Sequence, residues 1–192
     1  MREPTLSRTA RVRSAARRIC GDRRGIAAIE FAIVGTVLLT ATLGLFETVL
    51  VVRAQALLSS AVANMAEMVA AEDGLPPVTQ LTLRDYCGGV QLTMGSYATA
   101  GLSMAVASVT RPAGSGSPAR DWEYDGACPT AAASLGSGGA SALATSMVPS
   151  SGDSVIVIQA SYVYTPVINT VLPSVVLTQT AFARPQGHSV LP

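Results

Sequence analysis

The chain has 192 residues, enough for one modest domain, and 13% of them are charged against about 25% in an average soluble protein. Its mean hydropathy of +0.41 argues against an ordinary cytosolic globule, and its 49% apolar residues argue against disorder. The net charge of +1 conceals a division: residues 1–25 carry +6 (eight arginines less two acids), and the other 167 residues carry −5 (five arginines less ten acids). The two ends of the chain are therefore expected to face different surroundings.

An apolar segment, Ile26–Val52, follows the basic end at once and is interrupted only by Glu30 and Glu47. Its charge-free part, Phe31–Phe46, spans about 24 Å as a helix at ~1.5 Å per residue, somewhat less than the ~30 Å hydrocarbon core of a bilayer. We predict one membrane-spanning helix at about 31–52, with both glutamates near the interfaces. The arginines before it place the N-terminus in the cytoplasm. The alternative of a buried core helix is disfavoured, since nothing else in the chain would surround it.

The helical pattern continues beyond Arg53 but becomes one-sided, which is typical of an amphipathic helix. Its apolar residues recur at spacings of three and four: Ala54, Leu57, Leu58, Ala61, Val62, Met65, Met68 and Val69. Gly74, Pro76 and Pro77 form a strong stop. The sequence therefore predicts one helix over 26–73 after a basic cytoplasmic leader (1–25), with a lipid-facing half and a half that packs against a folded domain.

The rest of the chain is predicted to form an extracytoplasmic domain over 79–187 with a loose tail at 188–192. Strands are expected at four places, namely 102–110, 121–126, 154–164 and 175–184. Between them come a segment of ambiguous pattern that we interpret as a short helix broken at Gly88-Gly89 (79–94), a loop (111–119), and a flexible linker with a helical turn around it (134–141). The predicted fold class is α+β and pilin-like: the long helix packs its apolar face on the even-numbered face of strand 154–164, in a small, mostly antiparallel sheet.

The cysteines support a change of compartment at the membrane. Cys20 lies on the basic side, where thiols stay reduced, whereas Cys87 and Cys128 form an even pair beyond the span, in an oxidising space. We predict a Cys87–Cys128 disulfide, with two buried free thiols as the alternative. The spacing fits no metal site, because C-x-x-C pairs and histidine partners are both missing.

Catalytic motifs find little support in the sequence. His188 is the only histidine and lies in the tail, and there is no phosphate-binding loop, dinucleotide fingerprint or H-E-x-x-H. Trp122 lies among Asp121, Glu123 and Asp125, the wrong electrostatics for nucleic acid. The chain is therefore expected to be no enzyme and to need no cofactor, nucleic acid or small-molecule substrate.

The informative constellation lies at the membrane entrance, where Arg23-Arg24 precede Gly25, Ile26, Glu30 and Phe31. A carboxylate within a membrane helix costs ~2.5–3.5 kcal/mol at mid-membrane and less near an interface, so Glu30 calls for a reason. Snorkelling toward the interface is one. A second reason would follow from cleavage after Gly25, whose lack of a side chain suits an extended chain in a protease cleft. Cleavage creates a new amine at Ile26, and Glu30 then neutralises that amine in a neighbouring subunit.

Basic residues, then GIAAIEF, then an apolar helix resemble the processing site of type IV prepilin-like proteins, and the form G-x-x-x-x-E-[FY] is similar to that of the tight-adherence (Tad/Flp) pilus system. The stretch from Gly25 to Ala70 resembles the N-terminal region of TadE-like pseudopilins, and Ser154–Pro185, with its V-x-V-x-x-x-x-Y-x-Y-x-P character, is similar to their closing strands. The resemblance implies a minor pseudopilin of the bacterial inner membrane, cut by a prepilin peptidase. Its implied partners are membrane lipid, other pilins and pseudopilins, and the pilus assembly platform.

Three other interpretations stay open at this point. Ala54-Gln55-Ala56 resembles a signal-peptide cleavage site, which would make the chain a secreted protein. A bitopic protein with an outward interaction domain unrelated to pili is the second, and a membrane-anchored periplasmic enzyme is the third. The mature N-terminus separates the main cases: Ile26 indicates a pseudopilin, a residue near Leu57 a secreted protein, and Met1 a plain anchor.

Overall fold

A computed structural model describes residues 24–72, 79–95, 97, 101–114, 116–125, 128, 130–131, 135, 139–168 and 173–185. Cys20, His188, residues 1–23 of the predicted leader and the whole predicted tail lie outside the described residues. In chain order the elements are α1 (Arg24–Ala71), α2 (Gln80–Met94), β1 (Leu102–Thr110), β2 (Ala119–Asp125), β3 (Thr130–Ala131), α3 (Gly139–Ala144), β4 (Ser154–Tyr164) and β5 (Val175–Ala183). The chain divides into two compact units, one ending at Phe46 and one beginning at Glu47, and each is described by itself.

The described part of the first unit is α1 up to Phe46, an apolar helix in which nearly all large side chains are exposed. The most hydrophobic 18-residue window of α1 has a mean hydropathy of 2.1 and none of it is buried, so the helix is long and apolar enough to cross a membrane. Its threonine hydroxyls are satisfied within the helix: Thr36, Thr40 and Thr42 each donate to the carbonyl four residues earlier, at 2.7–2.8 Å. Such bonds leave no hydroxyl that requires water.

The second unit is built on the other part of α1, where a stripe of side chains at helical spacing is buried. Its members are Ala54, Leu58, Ala61, Val62, Met65, Ala66, Val69 and Ala70. They share one core with the even-numbered residues of β4, including Ile156, Ile158 and Tyr162. The predicted packing of the amphipathic half on this face of β4 is confirmed. Leu58, at the centre of the stripe, is fully buried.

The sheet has the strand order β2-β1-β4-β5, with every neighbour on that path antiparallel. β1 pairs with β4 along its whole length, from Leu102 opposite Tyr162 to Thr110 opposite Ser154. A two-residue strand, β3, adds to β1 in parallel. The α+β class with a mostly antiparallel sheet is confirmed, and apolar alternation is the reason, since it gives β4 a face to bury against α1.

A second buried cluster covers part of the opposite face of the sheet, which the sequence did not predict. Val155 and Val157 of β4 lie there with residues from β1, α3 and the chain after α3: Ala105, Ala107, Val109, Ala140, Ala144 and Val148. α3 overlaps the stretch predicted to be a flexible linker with a possible helical turn. Small alanines allow this short helix to approach the strands closely, so part of the sheet is buried on both faces.

The expected break at Gly88-Gly89 was wrong, because α2 runs through both glycines. Thr79 caps its start by accepting a hydrogen bond from the Thr82 backbone N–H at 3.2 Å. Four buried residues at helical spacing hold the helix against the core: Leu83, Cys87, Val90 and Met94. Packing of this face outweighs the ~1 kcal/mol that each glycine costs a helix relative to alanine.

β2 starts at Ala119, within the stretch predicted as a loop, and ends at Asp125. A register shift between Ser108 and Val109 of β1 adjusts the pairing of the two strands. The Asp121 carboxylate accepts hydrogen bonds from the hydroxyls of Ser108 and Thr110, at 3.1 and 2.6 Å. These hydrogen bonds between β1 and β2 stabilise the first residues of β2, and no local sequence pattern reveals them.

Candidate functional site along the long helix

The residues predicted to form the processing site, Gly25, Ile26, Glu30 and Phe31, all lie in α1 and are all exposed. A Cβ added at Gly25 would meet no atom within 4 Å. A larger residue therefore fits at this position in the folded chain, so any requirement for glycine must come from a partner. Gly25 is helical here, and glycine lowers the cost of unwinding the first turn of the helix.

Glu30 projects from the apolar unit among exposed neighbours, Ile29 and Ile33 among them. The residues described by the structure supply no hydrogen bond or ion pair to its carboxylate. A charge held in this state within hydrocarbon is unfavourable, and the cost falls if a cation pairs with it. The side chain is thus accessible to a neighbouring molecule.

Glu47 is the opposite case, and the sequence analysis missed its role. Its side chain is fully buried, the phenolic hydroxyl of Tyr164 donates to its Oε2 at 3.1 Å, and the backbone N–H of Ile168 donates to its Oε1 at 2.7 Å. Burial, followed by the hydrogen bond to the Glu47 carboxylate, raises the pKa of Tyr164 to about 12. Glu47 thus joins α1 to the end of β4 and to the turn that follows it.

A second contact lies one helical turn further on. Tyr97 donates its hydroxyl to the backbone carbonyl of Leu50 at 3.4 Å, and its ring lies 6.5 Å from that of Tyr164. The two tyrosines hold the chain after α2 and the end of β4 against the same turn of α1. The Y-x-Y-x-P pattern was visible in the sequence, but nothing local connects it to a glutamate 117 residues earlier.

The predicted disulfide between Cys87 and Cys128 is present, with Cα atoms 5.4 Å apart. It ties α2 to the chain that follows β2. Next to Cys87 in the sequence, Tyr86 donates a hydrogen bond to the carboxylate of Glu72, the residue that follows the last residue of α1. That bond is the main cause that raises the pKa of Tyr86 to about 12, with burial second. Within the described parts of the chain, no three His, Cys, Asp or Glu side chains are grouped to hold a metal ion.

Comparison with known proteins places a family match on the same helix. Residues 25–67 match the family model described as "TadE-like protein". The match begins at Gly25 and includes Glu30 and Glu47, so it confirms the resemblance over this segment and supports a pilus-associated membrane protein. No curated protein and no solved structure matches the chain.

Proposed function

We propose that this chain, with its TadE-like segment at 25–67, is a minor pseudopilin required to assemble an adhesive Tad/Flp-type pilus. The observation that carries the proposal is the coincidence of that match with an exposed apolar helix that leads into an α+β domain. The proposed location is the bacterial inner membrane, with the N-terminus in the cytoplasm and the domain outside. The proposed role is assembly by contact with other subunits, without catalysis.

The proposed processing step is cleavage after Gly25 by a prepilin peptidase. It removes the basic leader and leaves Ile26 as the new N-terminus. Two properties of the site support this: Gly25 and Ile26 are exposed, and no side chain crowds the glycine. The remaining 167 residues are far more than a bare helix, which favours a minor subunit with its own domain over a short major pilin.

The proposed role of Glu30 begins after cleavage. The Ile26 amine of one subunit is a cation at neutral pH, and Glu30 of an adjoining subunit offers a carboxylate four residues further along the helix, about 6 Å at ~1.5 Å per residue. Pairing them lowers the cost of keeping both charges in a medium of low dielectric constant. The proposed partners are accordingly other pilins, pseudopilins and the assembly platform.

The test separates the two roles by substitution in cells that carry the whole pilus system. Gly25→Leu should leave uncut precursor in the membrane, as seen by immunoblot. Gly35→Leu is the matched control, since Gly35 is also helical with no atom within 4 Å of an added Cβ, and it should be cut normally. Normal cutting of Gly25→Leu would show that the cleavage site is wrong.

Glu30→Ala should insert and be cut, yet fail to co-purify with pilus subunits. Glu67→Ala, which removes an exposed glutamate from the same helix, should co-purify as the wild type does. If Glu30→Ala assembles normally, Glu30 has no role in charge pairing. A mature chain that starts at Met1 and co-purifies with no pilus subunit would favour the alternative, a bitopic interaction protein unrelated to pili.

A further inference from the structure

One end of the second unit is defined by its contacts with the first residues of that unit. Glu47 accepts hydrogen bonds from Tyr164 and Ile168, and Leu50 accepts one from Tyr97. The opposite end is marked by Tyr86, which donates to Glu72. We call the end at Glu47 the proximal end, since Phe46 precedes it directly in the chain.

The hydrocarbon core must end near Phe46 if this helix spans a membrane. The N–H of Ile168 that binds Glu47 belongs to a non-helical turn, and irregular backbone does not occur in lipid-exposed hydrocarbon. From Ile26 to Phe46 there are 21 residues, about 31 Å of helix at ~1.5 Å per residue, which matches a core of ~30 Å. This places the span earlier than the 31–52 that the hydropathy pattern suggested.

Large apolar side chains are exposed at the proximal end, just beyond that limit. Val49 and Val52 are 65% and 61% exposed, and Val167, in the turn that binds Glu47, is 76% exposed. Val52 lies six residues after Phe46, about 9 Å along the helix at ~1.5 Å per residue. The interfacial layer of one leaflet is roughly 5–8 Å thick, which is half the difference between the whole bilayer, about 40–45 Å, and its hydrocarbon core, ~30 Å. These side chains therefore lie within or at the edge of that layer.

An exposed cation follows them. Arg53 is the next residue after Val52 and is exposed. Its backbone, about 10 Å beyond Phe46 at ~1.5 Å per residue, lies just outside that interfacial layer, so its long side chain reaches back to the lipid phosphates. An arginine there extends its guanidinium to the phosphate oxygens while its stem lies along apolar surface. Along the helix, apolar side chains are followed by a cation, and in a lipid leaflet the end of the acyl chains is likewise followed by the phosphates.

We propose that Val49, Val52 and Val167 form a lipid-contact surface that seats the domain in the outer interfacial layer, with Arg53 on the lipid phosphates. The occupant is the phospholipid of the membrane that the helix crosses, so the inference rests on the proposed membrane anchor. Glu47 acts as the positioning residue, because it ties the Val167 turn to the helix at the point where the helix leaves the hydrocarbon. The domain is thereby held at a set depth.

The test uses the full chain with Cys20→Ser, reconstituted in phosphatidylcholine–phosphatidylglycerol nanodiscs, with the native disulfide kept. Single cysteines replace Val167, Val52, Leu81 or Leu38, and each carries an environment-sensitive fluorophore. Leu81 is the matched control, since it is 69% exposed but follows shortly after Glu72, at the other end of the unit. We expect loss of fluorescence from Val167 and Val52 when the lipids carry a shallow spin label, and none from Leu81.

The Leu38 probe keeps failure of this proposal distinct from failure of the anchor. If a deep spin label quenches Leu38 while Val167 is quenched no more than Leu81, the anchor stands and the lipid contact is refuted. If Leu38 is not quenched, the membrane anchor itself fails and the lipid contact with it. Shielding of Val167 from aqueous iodide that arises only with added pilus subunits would also overturn the proposal, since the surface would then bind protein.

Discussion

The parts of α1 before and after residue 46 are both rich in alanine, valine and leucine, yet they have opposite surroundings. The first exposes nearly all of its large apolar side chains, and the second buries one stripe against a sheet. The two glutamates follow the same division, because Glu30 is exposed while Glu47 is buried and accepts two hydrogen bonds. The comparison shows that the same kind of apolar helix, and a carboxylate within it, is exposed or buried according to the elements that surround it.

Leu58→Asp should break the buried half most severely. It places a carboxylate at a fully buried position, so we expect the free energy of unfolding to fall by at least about 4 kcal/mol. The measurement is urea unfolding of the full chain in detergent, followed by the fluorescence of Trp122. Leu39→Ala, in the exposed half, should leave the transition within about 0.5 kcal/mol of wild type. Similar effects from both would show that the halves do not differ in packing.

Removal of the disulfide should weaken only the second unit. Cys87 and Cys128 are 41 residues apart, so their bond closes a 42-residue loop, and the chain-entropy model gives about 4 kcal/mol for it. The paired serine variant should shift the same urea transition by up to this amount, whereas Cys20→Ser should not shift it. Thiol titration of the oxidised, denatured chain should find one reactive thiol; three would contradict the bond.

Glu47→Ala sharpens the contrast between the glutamates. It leaves the Tyr164 hydroxyl and the Ile168 N–H without their acceptor, so we expect a loss of about 2 kcal/mol in unfolding free energy. Glu47→Gln keeps an oxygen for Ile168 and a second polar group for Tyr164, and should cost about half as much. Glu30→Ala should leave the unfolding of the second unit unchanged. An equal loss from Glu30→Ala would remove the distinction between the two residues.

The smallest effect is expected from Tyr164→Phe. At neutral pH it removes one hydrogen bond to Glu47, about 1 kcal/mol in unfolding free energy. The folded-state pKa of Tyr164, about 12, lies above its ordinary value of 10.0, so the folded chain holds this proton longer than the unfolded chain does. Wild type should therefore lose stability as pH rises from about 10 to about 12.

Tyr164→Phe should lose less stability over that alkaline range than wild type. Tyr86, whose pKa is also raised to about 12, should still contribute in the variant. Unfolding curves at pH 8, 10 and 11 measure the difference. An unchanged alkaline slope in Tyr164→Phe would mean that Tyr164 titrates alike in the folded and unfolded chains.

Much of the fold was predictable because its signals are local. Apolar spacing of three and four marks the stripe of α1, and alternation marks β4 with its even face buried. The cysteine pair was predictable for another reason: two cysteines lie beyond the membrane segment, and the sequence offered no metal partner for them.

The errors arose where distant packing overrides a local preference. Gly88-Gly89 suggest a break, but the buried face of α2 holds the helix together. The burial of the opposite face of the sheet by α3 was not predicted, because α3 is short and lies in a stretch rich in glycine and serine. Neither feature follows from hydrophobic period alone, because each depends on residues far apart in the chain.

The sequence by itself determined the division of charge, the apolar helix, the amphipathic stripe, the main strands and the resemblance that the family match confirms over 25–67. These features follow from local composition and from the spacing of apolar residues, because both reflect whether a segment is more stable in water, in lipid or in a protein core. Only the tertiary structure decided that Glu47 belongs to the folded unit, since its partners lie 117 and 121 residues away. A buried carboxylate is stable only where distant donors converge on it, and no local pattern specifies that convergence.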